Sequence, residues 1–139
     1  MRRARLRAAV GLAAVAAVAA GCSGGGSVKA GPAERDCGTV TQAANGMHIV
    51  DGASATATDV SRANAAARAL TDAAANVTTA VAAAAGQLAA AARTYAGALS
   101  SHNSEAVNVS GGVLRQRAQA VADICKTQVL GQAPAGPTN

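Results

Sequence analysis

The chain has 139 residues; half are hydrophobic, alanine supplies most of that half, and Tyr95 is the only aromatic side chain. Its formal net charge is +5, but four arginines (Arg2, Arg3, Arg5, Arg7) lie in the first seven positions, and elsewhere eight basic side chains face seven acidic ones, all scattered singly. This excludes a nucleic-acid binder, which needs a basic patch and stacking rings, and it limits the chain to one small domain with a thin core, because alanine buries little area.

Residues 1–21 read as a secretory signal peptide: a basic head, an apolar run of about a dozen residues and small residues before the break. A membrane-spanning helix needs roughly 20 apolar residues, so this run is too short to be one. Cys22 directly follows Ala19-Ala20-Gly21. That arrangement resembles the lipobox of bacterial lipoproteins, with Ala19 where leucine is commonest. The resemblance covers about residues 1–27. It implies that the Cys22 thiol receives a diacylglycerol carrying fatty acyl chains such as palmitate. Cleavage before Cys22 would then leave the protein anchored in the membrane on the outer face of the cell. The Ala-, Gly-, Val- and Arg-rich composition is similar to that of small lipoproteins of high-GC actinobacteria. Without the four leader arginines the balance is eight bases against seven acids, or +1.

Residues 22–32 read as a flexible tether, rich in Gly and Ser and closed by Gly31-Pro32. An α-helical domain is expected over 33–131. Its first helix starts at Ala33, with Pro32 suited to the first turn and Glu34 and Asp36 favoured at the positive end of the helix dipole. Cys37, Val40, Ala44 and Met47 share one face. The pattern reaches about Val50, and Gly46 favours a stop near Asn45. Asp51–Ala57 reads as a turn.

The longest periodic stretch follows. Thr58 is the expected N-cap, with Asp59 in the first turn. Val60, Ala63, Ala67, Leu70, Ala74, Val77, Val81, Ala84, Leu88, Ala91, Tyr95 and Ala98 alternate spacings of three and four. This is a heptad seam, and it predicts one helix from Asp59 to about Leu99, roughly 60 Å long. Gly86 is its one internal weak point. Ala73–Ala92 carries no charge but lacks the Leu, Ile and Phe that favour insertion, so it does not read as a membrane span.

Ser100–Ser104 is a polar turn in which Ser101 or Asn103 can cap the next helix, with Glu105 in its first turn. That helix runs to about Leu130 along Val107, Gly111, Leu114, Ala118, Val121 and Cys125. Gly111-Gly112 weakens its first half, and Gly131, Pro134 and Pro137 mark its end. Residues 132–139 read as a disordered tail.

If Cys22 carries lipid, Cys37 and Cys125 remain, and export favours their pairing over two free buried thiols. A hairpin turning near His102 places Cys125 level with Val77–Val81. A first helix beginning there runs back toward Val60, so the first and last helices lie end to end along the long one. The expected fold is therefore all-α: a disulfide-linked helical hairpin or small bundle of a short helix, a long Ala-rich helix and a third helix. A break at Gly86 would make it a more compact bundle.

Motifs that carry chemistry are lacking. There is no Gly-x-Ser-x-Gly, phosphate-binding loop or dinucleotide fingerprint, and Ser110-Gly111-Gly112 lacks the flanking pattern. His48 and His102 stand apart from any metal-ligand spacing. Asn76-Val77-Thr78 and Asn108-Val109-Ser110 match the glycosylation acceptor by chance. No enzyme, cofactor or metal is expected. The remaining candidate is the apolar seam, represented by Val60, Leu70, Val77, Val81, Leu88, Tyr95, Leu114 and Val121. Its simplest role is the interior of the hairpin. A stripe left uncovered would receive a protein partner, a second copy of the chain or an acyl chain. The expected protein is a non-enzymatic envelope lipoprotein acting through protein–protein contact or structure; the alternative is a carrier or sensor of an apolar ligand.

Overall fold

The computed structural model describes residues 30–131. The expected leader, Cys22, nearly all of the tether and the tail lie outside them. The fold is all-α: α1 (Pro32–Ala44), α2 (Ala57–Asn76), α3 (Val81–Ser100) and α4 (Ser104–Gly131), with a 3-10 turn at Gly52–Ser54 joining α1 to α2.

Local chemistry sets each boundary. Pro32 opens α1, and the Asn45-Gly46 turn ends it at Ala44. The cap of α2 is Thr56, two residues earlier than expected. Its hydroxyl accepts the Asp59 N–H (3.3 Å), and the Asp59 carboxylate accepts both the Thr56 N–H (2.9 Å) and the Thr56 hydroxyl (2.6 Å). This is a reciprocal capping box, which Thr58 could not form because Asp59 is its immediate neighbour. At the end of α3, His102 adopts φ 53°, in the left-handed region. Its N–H bonds Leu99 O (3.1 Å), and the next N–H, of Asn103, bonds Ala98 O (3.4 Å), closing a Schellman motif. Asn103 then caps α4 by accepting the Ala106 N–H (3.0 Å). α4 runs unbroken through Gly111-Gly112.

The single long helix expected from Asp59 to Leu99 is two helices. The chain breaks at Val77–Ala80, and Gly86 lies inside α3 on an exposed position. Two causes converge at the break. Val77, Thr78 and Thr79 are three consecutive β-branched residues, each a weaker helix former than alanine. In addition, the Asp36 carboxylate, reaching from α1, accepts the backbone N–H groups of both Thr78 and Thr79 (3.0 Å each). The periodicity concealed the break because Val77 and Val81, on its two sides, are four residues apart and both buried.

Folding α3 back along α2 changes the architecture. α1 packs on α2 and α4, and α3 packs on the same two from the opposite side, so the helices form an up-down-up-down ring. α1 and α4 run side by side and antiparallel, not end to end as the lengths suggested. One end of the bundle holds the start of α1, the Val77–Ala80 turn and the close of α4, brought together by the Cys37–Cys125 disulfide and by Asp36. The other end holds Gly52–Ser54, the start of α2 and the α3–α4 turn. Here the Asn108 side chain accepts the Gly52 N–H (3.1 Å), the Ser104 hydroxyl donates to Gly52 O (3.3 Å), and Asn64 reaches Ser100.

The core between the ends is lean. Its fully buried larger side chains are Val40, Leu70, Val81, Leu88, Tyr95, Leu99 and Val107, and alanines fill the intervening positions of α2 and α3. Small residues let the helix axes approach closely, but each contributes little buried area.

Candidate functional site

The seam singled out in the sequence forms the interior of the ring. Leu70, Val77, Val81, Leu88, Tyr95, Leu114 and Val121 are each buried, and Val60 is half-buried at the outer end of α2. Ala118, counted on the seam of the last helix, is exposed. The reason is that α4 faces two neighbours, α1 and α3, so its buried stripe is set by both and departs from a simple repeat.

Tyr95 is the best-organised polar group inside. Its ring is fully buried. Its hydroxyl accepts the Val50 N–H (2.9 Å) and donates to His48 O (3.3 Å), fastening the irregular segment after α1 to the middle of α3. Burial raises the phenol pKa above its ordinary value of 10.0, outweighing the opposing bond from Val50. Both of its polar partners are backbone groups. The geometry is that of a structural clasp. Gly111 makes the clasp possible: a Cβ there would stand 3.0 Å from Ile49 and 3.4 Å from the Tyr95 ring. That close packing explains why α4 carries a glycine mid-helix.

Asp36 is the other residue whose role the sequence concealed. It read only as a favourable charge in the first turn of α1, whereas it caps the segment leading into α3. The Thr78 N–H holds its carboxyl below the ordinary value of 3.8, with further help from Thr79 and Arg35 against a modest desolvation cost. Asp59 is lowered likewise, first by the Thr56 hydroxyl and then by the Thr56 N–H. An isolated sequence offers no signal for the Asp36 contact, because its partners lie more than forty positions away.

The disulfide joins Cys37, buried on α1, to the half-buried Cys125 on α4, 88 positions apart. Among the described residues, open grooves lie between neighbouring helices. One of about 310 Å³ lies between α1 and α2, beside Gln42, Gly46 and Arg62. One of about 430 Å³ lies between α2 and α3, flanked by Arg68, Asp72 and Arg93. Among the described residues the most exposed large apolar side chains are Val109, Val113 and Val129, all on α4. Among the described residues no group of three His, Cys, Asp or Glu side chains is placed to hold a metal. His48 and His102 are both exposed. In one acceptor-like triplet the exposed Asn108 side chain accepts the Gly52 N–H, and the buried Ser110 hydroxyl donates to Ala106 O. No helix among the described residues is long and apolar enough to cross a membrane. No protein-family model, curated protein or solved structure matches this chain.

Proposed function

We propose that the protein is a non-enzymatic lipoprotein of the cell envelope. It is anchored through acylated Cys22 on the outer face of the membrane and presents a disulfide-tied helical bundle for protein–protein contact, self-association or a structural role. The observation that carries this reading is the division of labour among three cysteines. Cys37 and Cys125 pair within the bundle, a bond that persists in oxidising, exported settings. Cys22 is left over, directly behind an apolar leader and Ala19-Ala20-Gly21. The alternative, a carrier or sensor of an apolar ligand, has less support, because the seam residues that would line its cavity are packed against one another.

The test is to express the full chain and its Cys22→Ser variant and to follow membrane fractionation and fatty-acid labelling. The wild type is expected in the membrane fraction with acyl label, and the variant in the soluble fraction without it. Retention of the unlabelled variant on the membrane refutes the proposal. Chemical crosslinking on intact cells should then trap a partner or a dimer. Native mass spectrometry of residues 33–131 distinguishes the alternative, which requires co-purifying lipid.

A further inference from the structure

The chain entry and the Val77–Ala80 turn share one end of the bundle. The position of that end points to an orientation at the membrane that no single residue reveals. The inference rests on anchoring through Cys22.

The described chain enters at Ala30, at the end of the bundle that also holds the Val77–Ala80 turn, Asp36 and the Cys37–Cys125 bond. Eight residue steps separate Cys22 from Ala30. Their full contour is at most about 28 Å, whatever path they take. α2 and α3 have 20 residues each, so the bundle is about 30 Å long. Bringing the opposite end down to the bilayer would lift the entry point by the whole bundle length. That is about the whole contour of the eight steps, so the inverted pose would need them drawn out to their limit, at a cost in conformational entropy.

We infer that the anchored protein holds its Val77–Ala80 end against the lipid headgroups. The Gly52–Ser54 turn and the α3–α4 turn point outward.

The experiment places a fluorescent amino acid at Asn76 or at Ala53, both exposed and at opposite ends of the bundle. The acylated full chain is reconstituted into vesicles of phosphatidylethanolamine and phosphatidylglycerol bearing an acceptor dye on the headgroups. Energy transfer from position 76 is expected to be several-fold stronger than from position 53. A second pair, Ala80 and Ser101, repeats the comparison if a label at either first position disturbs folding. Equal transfer from the two ends, or stronger transfer from 53 or 101, overturns the orientation while leaving the anchor intact. Failure of the wild-type protein to float with the vesicles overturns the anchoring and the orientation with it.

Discussion

Removing the disulfide should expose how little this core holds by itself. The bond closes a loop of 88 positions between α1 and α4. In the chain-entropy model a closure of that length restricts the unfolded chain by about 4.6 kcal/mol at 25 °C, and strain or residual structure commonly brings the measured figure down toward 3. A domain of this size has only about 5–10 kcal/mol of net stability, and here the interior is largely alanine. The double variant Cys37→Ala/Cys125→Ala avoids a stray thiol. At a urea dependence of about 1.5 kcal/mol per molar, its unfolding midpoint should fall by about 2–3 M. The assay is equilibrium urea unfolding followed by far-UV circular dichroism. Wild-type protein treated with a reductant should shift by the same amount, and the non-reducible variant should then be insensitive to it. A midpoint change below about 0.5 M in both comparisons refutes the claim that the cross-link supports a thin core.

Further outcomes are expected. Gly52→Ala places a Cβ under 3 Å from the Ser104 backbone and should cost about 1–3 kcal/mol, read as a lower thermal midpoint; Gly86→Ala, where a Cβ meets open space, should raise it by about 0.5–1 kcal/mol. Replacing His102, at φ 53°, with glycine should relieve the left-handed backbone and stabilise by about 0.5 kcal/mol in the same melt. Tyr95→Phe leaves the Val50 N–H without its partner and should cost about 1–3 kcal/mol in urea unfolding. For pH, Asp36 and Asp59 have folded pKa values below 3.8, so the unfolded state binds more protons. Their stabilisation is complete well above 3.8 and is lost as pH falls through the lower folded values; Asp36→Asn should flatten that acid limb of the stability profile. Tyr95 acts in the opposite direction: its folded pKa lies above 10.0, so its contribution holds below pH 10 and fades as pH rises through the folded value.

Much of the fold was legible because alanine, valine and leucine at helical spacing leave few alternatives. Cys37 and Cys125 were the only pair left for a disulfide once Cys22 was set apart. One error was local: Thr56 displaced Thr58 as the cap because only Thr56 stands three residues before Asp59, a capping-box spacing present in the sequence. The others lie where a distant contact or a masked break outweighs a local preference. Gly111-Gly112 read as a weak start to the last helix, yet the room that Gly111 leaves for Ile49 and Tyr95 is a reason for the helix to continue there. Val77-Thr78-Thr79 carried a faint local signal of a break, hidden under an unbroken heptad.

The sequence by itself determined helicity, the apolar seam, the pairing of two cysteines and the turn after Leu99. These depend on neighbours within a few residues, or on there being a single possible partner. Only the tertiary structure decided that the seam folds on itself between Val77 and Val81, that α1 lies beside α4, and that Asp36 and Tyr95 act as clasps. Each of these depends on groups forty or more positions apart, whose bonds to backbone N–H and C=O leave no periodic trace. A heptad records which residues are buried; it does not record whether they are buried against a neighbouring helix or against the other half of their own.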